Sequence, residues 1–158
     1  MATVYIETTI PSFYFETRKS ARAVAWREAT RHWWDHCAFK FDLVTSDFVI
    51  AELRRAPQDR AAPALAMLRG VRVLPERPSV RDTAAYYIEQ GLMPAGADGD
   101  TAHLAMASVH AIDFLLTWNC KHLANANKVP HLRALNARLG LAVPTLTTPF
   151  TLIPGPPL

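Results

Sequence analysis

The sequence has few cysteines and glycines, and no long apolar run, among its 158 residues. Cys37 and Cys120 are too few for a disulfide framework, so a reducing compartment is the expected one. No segment approaches the roughly eighteen apolar residues of a membrane-spanning helix, and the first residues lack the pattern of a signal peptide. The six glycines form neither of the glycine-rich loops that cradle nucleotide phosphates. We therefore expect a cytoplasmic protein that does not span a membrane.

The composition is that of one globular domain. Half of the residues are hydrophobic and a fifth are charged, and the length suits a single core. Four of the twelve prolines lie in residues 148–158. Because proline donates no backbone hydrogen bond, we expect a domain over residues 1–148 and an extended, Pro-rich C-terminal tail over residues 149–158.

The basic residues exceed the acidic ones only slightly, with a net charge of +3 and a pI near 9.1. They gather in two stretches: Arg18, Lys19, Arg22, Arg27 and Arg31 in the first, and Arg54, Arg55 and Arg60 in the second. Such stretches are typical of solvated helix faces, and contact with phosphates is the alternative interpretation. The net charge alone does not indicate a nucleic-acid-binding protein.

Short β-type runs alternate with helical segments along nearly the whole chain. The predicted strands are residues 3–6, 43–45, 71–74, 113–118 and 143–147. The predicted helices are residues 20–39, 47–55, 61–69, 79–90, 98–110 and 130–140, with Ser46 and Ser79 as N-caps. Alternation of this kind predicts an α/β fold, in which a parallel sheet of four to five strands is covered by helices on both faces.

Acidic residues occur where this sheet would bring them together. Glu7 follows the first strand, Glu52 lies in the helix after the second, and Asp98 and Asp100 open a helix ahead of the fourth. Asn119 follows the fourth strand. In a parallel α/β sheet these positions converge on one edge, and clustered carboxylates repel each other unless a cation is present. Mg²⁺ or Mn²⁺ is the expected ion, because both prefer oxygen ligands.

Each of these residues also has an ordinary structural interpretation. Glu52 can pair with Arg55 across one helical turn, and either Asp98 or Asp100 is expected to cap its helix. His103, three residues after Asp100, is expected to bond a neighbouring residue. A zinc site remains a rival hypothesis, built from His32, His36, Cys37, Cys120 and His122, although no established zinc-ligand spacing supports it.

Four blocks of the sequence resemble, in the same order, the motif blocks of PIN-domain proteins, and in particular the small VapC-like toxins. The first is residues 5–12, YIETTIPS, and the second runs from Thr45 to Leu53 and contains Glu52. The third is residues 100–107, DTAHLAMA, and the fourth is residues 114–123, FLLTWNCKHL. Together they extend over almost the whole chain. The resemblance implies a PIN-like three-layer α/β/α fold around a central parallel sheet.

The resemblance also implies a catalytic set made of Glu7, Glu52, Asp100 and Asn119. The three carboxylates would hold Mg²⁺ or Mn²⁺. Two positions depart from the pattern, since the first acid is Glu where Asp is commonest and the fourth is an amide. Asn119 can ligate through its carbonyl oxygen or orient a water but contributes no charge, with Asp98 or Asp113 as possible substitutes.

Substrate contacts are predicted at four further residues. Thr8 (or Thr9) and Thr117 match the hydroxyl residues that lie near the site in the family the sequence resembles. Arg54 and Arg55 are the first candidates to bind the phosphates that flank the scissile bond.

The function implied is that of a metal-dependent endoribonuclease that hydrolyses RNA phosphodiester bonds, as the toxin of a toxin–antitoxin pair. The expected partners are an RNA substrate, an antitoxin protein and a second copy of the chain in a homodimer. The alternative is a catalytically weakened PIN-fold module that binds RNA or a protein partner. A phosphohydrolase acting on a small phosphate ester is a third hypothesis.

Overall fold

The computed structural model describes residues 1–154, which form a parallel sheet flanked by helices. The five strands of this part of the chain are β1 (Thr3–Ile6), β2 (Asp42–Ser46), β3 (Arg72–Leu74), β4 (Phe114–Leu116) and β5 (Thr145–Thr147). Their order in the sheet is β3-β2-β1-β4-β5, and every neighbouring pair is parallel. The predicted α/β sheet is therefore confirmed.

Seven α-helices connect the strands of the described residues. They are α1 (Thr9–Tyr14), α2 (Ala21–His36), α3 (Asp47–Arg54), α4 (Gln58–Met67), α5 (Pro78–Glu89), α6 (Asp98–Val109) and α7 (Val129–Leu139). No helix in residues 1–154 combines the length and apolar character needed to cross a membrane.

The strand order explains why the helices form one layer on each face of the sheet, which gives three layers in all. The chain runs outward from β1 to β2 and β3, then returns past β1 to β4 and continues to β5. Because crossovers between parallel strands are right-handed, α1–α4 cover one face and α5–α7 cover the other. Contacts of α1 with α2 and α4, and of α5 with α6, agree with this division. The order reverses between β1 and β4, and in open α/β sheets such a reversal opens a crevice at the carboxyl ends of the strands.

Several boundaries differ from the sequence prediction. Residues 9–14 form α1 where a loop was expected, because six residues give too little periodicity to recognise. Ser46 caps α3 as predicted, accepting a hydrogen bond from Val49 N at 3.4 Å. Ser79 is not a cap, since α5 already begins at Pro78, whose fixed φ suits a first turn. The expectation that an acid caps α6 was also wrong: Ala97 holds that position without a side-chain bond.

The described part of the Pro-rich segment, residues 149–154, packs against the domain. Leu152 is buried, and its carbonyl accepts a 2.6 Å hydrogen bond from Nε1 of Trp33, in the last turn of α2. The prediction of an unpacked tail was therefore wrong for Leu152, because a single leucine can reach the core between prolines. The domain boundary at residue 148 stays a prediction, and the tail residues 155–158 lie outside the described residues.

Candidate active site

The first acidic residue, Glu7, lies at the reversal point of the sheet and is almost completely buried (2% exposed). Its Oε1 accepts 2.6 Å hydrogen bonds from the hydroxyls of Thr9 and Thr117, and Oε2 accepts one from Thr9 N at 3.0 Å. Burial raises the pKa of Glu7, outweighing the charge of His103 and the threonine hydrogen bonds, which lower it. A buried carboxylate of this kind needs a nearby positive charge to remain ionised.

The second acidic residue, Glu52, comes from α3 and is partly open to solvent, with its side chain 30% exposed. Its Oε1 accepts a 2.6 Å hydrogen bond from His103 Nε2. Partial burial opposes ionisation of Glu52, but the hydrogen bond and charge of His103 outweigh it, so that its pKa is lowered. Gly99 leaves the room for this arrangement, since a Cβ at that residue would lie 3.2 Å from Glu52 Oε1.

His103, on α6, is fully buried behind Glu52 and uses both ring nitrogens. Nδ1 lies 2.7 Å from Tyr5 Oη, which in turn lies 2.6 Å from Ser46 Oγ. Burial disfavours the charged imidazole, but the hydrogen bond with Glu52 and the neighbouring carboxylate charges outweigh it and raise its pKa. The prediction from the sequence that His103 bonds a neighbouring residue is confirmed. Its position one helical turn after Asp100 was the feature of the sequence that indicated a place near the site.

The third acidic residue, Asp100, is held by the loop after β4. Asn119 donates its side-chain amide to Asp100 Oδ2 at 2.9 Å, and Asn119 Oδ1 accepts from His122 N at 3.0 Å. The Thr117 hydroxyl also accepts from Asn119 N at 2.9 Å. Both polar ends of the Asn119 amide are thus occupied by protein partners.

The imidazole of His103 is influenced by three carboxylates. The charges of Glu7, Glu52 and Asp100 each raise the pKa of His103. Asp98 lies exposed in the first turn of α6 and takes no part in these hydrogen bonds. Asp113 lies at the opposite end of the sheet: it precedes β4 and accepts from Thr3 N at 2.9 Å, which makes it unsuitable as the substitute that the sequence allowed.

The predicted substrate residues lie at different distances from the carboxylates. Thr117 contacts Glu7 directly. Arg55 is exposed and lies close enough to Glu52 for its charge to lower the pKa of that carboxyl. Arg54 is also exposed, but no hydrogen bond or ion pair within residues 1–154 ties it to the cluster. Thr8 lowers the pKa of Glu52, yet its Oγ1 is buried without a hydrogen bond of normal geometry.

The donor atoms fit a hydrated divalent cation better than a fully enclosed one. Within residues 1–154, no three His, Cys, Asp or Glu side chains are arranged to hold a metal ion by themselves, and the rival zinc set is not assembled there either. Glu52 Oε2 and Asp100 Oδ1 accept no hydrogen bond from the described residues, and the unpartnered Thr8 Oγ1 lies beside Glu52. Mg²⁺ keeps several waters and binds through one or two carboxylates, so this oxygen-rich set suits it.

Comparison with known proteins supports the fold. No protein-family model matches the sequence, and no curated protein matches it. The structure resembles FitAcB from Neisseria gonorrhoeae, with a TM-score of 0.56 and 17% identity over 94% of this chain and 99% of that chain. It also resembles VapBC2 from Rickettsia felis bound to a DNA fragment from their promoter, with a TM-score of 0.59 and 12% identity over 92% of this chain and 98% of that one.

At these identities the likeness shows the fold alone, and it extends over nearly the whole length of both neighbours. The chain has the PIN-like fold of these proteins. The resemblance to VapC-like PIN domains found in the sequence is confirmed at the level of the fold.

Proposed function

We propose that this chain is an endoribonuclease that depends on Mg²⁺ or Mn²⁺ and acts as the toxin of a toxin–antitoxin pair. The observation that carries the proposal is a connected set of hydrogen bonds at the reversal point of the sheet. Thr117 joins Glu7 to the backbone of Asn119, and the side chain of Asn119 bonds Asp100. One helical turn further along α6, His103 bonds Glu52. Three acids in one partly open crevice need a cation, and the oxygens that remain free belong to the ligand class that Mg²⁺ and Mn²⁺ prefer.

Each acidic residue has a distinct part in the proposed reaction. A bound Mg²⁺ or Mn²⁺ would supply Lewis-acid polarisation of the scissile phosphate and acidify a bound water. Glu52 and Asp100, which are partly exposed, would hold the ion through Oε2 and Oδ1. Glu7 would add the third negative charge of the site, and its carboxylate, whose pKa is raised by burial, would be suited to accept the proton of the attacking water. Thr117 keeps the Glu7 carboxylate in place.

A polymeric substrate is favoured by charge next to the acidic crevice. Arg55 lies exposed beside Glu52, where its guanidinium would bind a phosphate that flanks the scissile one. Arg54 extends this basic surface by one residue. A small phosphate ester has no flanking phosphate to occupy such a position, so RNA is the better match.

The proposed partners follow from the structural neighbours. VapBC2 is bound to a DNA fragment from their promoter, and the VapC-like proteins that the sequence resembles are toxins of toxin–antitoxin pairs. We propose that this chain likewise binds an antitoxin and forms a homodimer. Size-exclusion chromatography with light scattering tests the homodimer, and a mass equal to that of one 17.6 kDa chain at micromolar concentration would reject it.

The decisive experiment is cleavage of a structured RNA by the purified protein in Mg²⁺, Mn²⁺ or EDTA. Asp100→Asn and Glu52→Gln are expected to abolish metal-dependent cleavage. Asp98→Asn is the matched control, because it removes the same charge from an exposed residue two positions from Asp100. Cleavage that survives both site variants would point to a contaminating nuclease and reject the assignment.

The alternative, a PIN-fold module that binds RNA or a protein without cleaving it, is favoured by one observation. Asn119 donates a hydrogen bond to Asp100, so part of the charge of that carboxylate is already compensated without an ion. Absence of cleavage in every metal, together with RNA binding that persists in EDTA, would establish this alternative.

A further inference from the structure

Donors of the protein hold both oxygens of Glu7 and one oxygen each of Glu52 and Asp100. Glu7 Oε1 is held by Thr9 and Thr117, Asp100 Oδ2 by Asn119, and Glu52 Oε1 by His103. The opposite oxygens of Glu52 and Asp100 accept no hydrogen bond from the described residues. The protein therefore fixes the rotation of these carboxylates before any ligand binds.

His103 is the donor for which the sequence resemblance assigns no function. It is fully buried, and it links the site to the first two strands through Tyr5 of β1 and Ser46 at the end of β2. Ser46 Oγ accepts from Val49 N, so its own proton is free to point to Tyr5 Oη. The Tyr5 hydroxyl can then donate to Nδ1 of His103, which leaves the imidazole proton on Nε2, facing Glu52.

This hydrogen-bond order makes the bond to Glu52 independent of the charge on the ring. In the neutral imidazole, the Tyr5 hydroxyl selects the tautomer with the proton on Nε2. In the charged imidazolium, Nε2 carries a proton as well. His103 thus donates to Glu52 Oε1 in both states, and its backing by Tyr5 prevents the ring from turning away.

Gly99 leaves room for the same oxygen at the first turn of α6. A Cβ at this residue would lie 3.2 Å from Glu52 Oε1, which shows how closely the start of α6 approaches the carboxylate. Oε1 therefore lies between its hydrogen-bond partner His103 and the first turn of α6, where a side chain larger than that of glycine would press on it. Oε2 is the Glu52 oxygen that accepts no hydrogen bond from the described residues.

We propose that His103 is a positioning residue that restricts Glu52 to single-oxygen coordination and thereby makes the site select small octahedral cations, Mg²⁺ and Mn²⁺, over Ca²⁺. Calcium takes six to eight oxygens and often binds a carboxylate through both of them, whereas Mg²⁺ needs an octahedron completed largely by waters. Groups that orient metal ligands in this way typically change metal affinity by about 10–100-fold when they are removed. The inference rests on the proposed metal-dependent function.

The test compares two substitutions that differ in the atom they keep. In His103→Gln the side-chain amide reaches the position of Nε2 and can still donate to Glu52. In His103→Asn the shorter amide reaches only the position of Nδ1, so it can bond Tyr5 but not Glu52. We expect His103→Asn to weaken Mn²⁺ binding by about tenfold or more and to lower the ratio of Mn²⁺ to Ca²⁺ affinity, while His103→Gln stays close to wild type.

Affinities are measured on the full chain without RNA, by electron paramagnetic resonance of free Mn²⁺ and by competition with Ca²⁺. Thermal unfolding in EDTA separates a loss of stability from a loss of selectivity, because a purely structural histidine would lower the melting temperature and leave the affinity ratio unchanged. An unchanged ratio in His103→Asn overturns the inference and leaves the proposed function standing. Absence of Mn²⁺ binding in the wild type rejects both.

A second variant decides the matter if His103→Asn fails to fold. Tyr5→Phe keeps the aromatic ring in the core but removes the hydroxyl that selects the tautomer of His103. The ring then loses the partner that holds its orientation, so that Nε2 is less firmly directed at Glu52 Oε1. We expect a smaller fall in the Mn²⁺ to Ca²⁺ ratio, and an unchanged ratio would overturn the inference.

Discussion

Asn119 Nδ2 donates to Asp100 Oδ2 over 2.9 Å, so the loop after β4 and the first turn of α6 are joined at the acidic crevice. In Asn119→Asp, this donor becomes a second carboxylate within hydrogen-bonding distance of Asp100. We expect the free energy of unfolding in EDTA to fall by about 1–3 kcal/mol, because the hydrogen bond is lost and two negative charges face each other. Chemical denaturation in EDTA and in Mg²⁺ measures the effect.

Added Mg²⁺ should stabilise Asn119→Asp more than it stabilises the wild type, since the extra carboxylate strengthens cation binding. Asn127→Asp is the matched control: it makes the same charge change at an exposed residue whose side chain forms no hydrogen bond within residues 1–154. Equal stability of Asn119→Asp and Asn127→Asp in EDTA would contradict the contact with Asp100.

The Thr117 hydroxyl is expected to be essential for the buried Glu7 carboxylate. It donates to Glu7 Oε1 at 2.6 Å and accepts from Asn119 N at 2.9 Å. Thr117→Val keeps the shape but removes both bonds, so we expect a loss of about 2–3 kcal/mol in urea denaturation. Thr117→Ser keeps the hydroxyl and should lose about 1 kcal/mol, the cost of one buried methyl group. Similar losses in the two variants would show that the hydroxyl contributes little.

Gly99→Ala should separate stability from metal binding. Alanine is favoured over glycine inside a helix by up to about 1 kcal/mol, so the melting temperature in EDTA should stay the same or rise. The new Cβ would lie 3.2 Å from Glu52 Oε1, and the carboxylate must move by a few tenths of an ångström. We expect Mn²⁺ affinity to fall several-fold, measured by isothermal titration calorimetry. Unchanged affinity would show that the position of Glu52 is not critical.

Glu16 should make the stability of the domain depend on acidity. Hydrogen bonds from Arg18 outweigh partial burial and lower the pKa of Glu16 from 4.5 to about 2. Because the pKa is lower in the folded state, the contact between Glu16 and Arg18 stabilises the folded domain fully above pH 4.5. This stabilisation is lost as the pH falls toward 2. Because the Arg18 side chain is 67% exposed, we expect only about 1 kcal/mol at neutral pH.

Urea denaturation of Glu16→Gln and wild type between pH 7 and pH 2.5 tests this dependence. The difference between the two should be constant above pH 5 and shrink below it. Glu28→Gln, at the exposed ion pair with Arg27 on α2, is the control and should change the free energy of unfolding by about 0.5 kcal/mol or less. If the difference in unfolding free energy between Glu16→Gln and the wild type grew at acid pH, the lowered pKa of Glu16 would be contradicted.

Much of the architecture was predictable because it depends on local sequence. Pro130 in the first turn of α7 and Gly140 after it, with a φ of +70°, are local signals that bound a helix wherever it packs. Ser46 is a signal of the same kind for α3. The six-residue α1 was missed because it has too few turns to show a period, and the packing of Leu152 was missed because no local pattern announces it.

Local sequence patterns are enough to establish the alternation of strands and helices and the positions of the acidic residues along it. Right-handed crossovers between parallel strands then leave only a few arrangements, so the meeting of Glu7 and Asp100 at one edge follows almost from order alone. The same rule separates Asp113 from them, because it precedes a strand instead of following one.

Which oxygens of those residues remain without a hydrogen bond depends on how the helices and strands pack. His103 bonds Glu52, fifty-one positions away, and Tyr5, ninety-eight positions away, so its role depends on three elements packing at once. Hydrogen bonds have strict requirements of distance and angle, and no periodicity in the chain encodes a distance between helices α3 and α6. Composition and spacing place charges near each other, whereas side-chain packing settles which oxygens are held and which face the crevice.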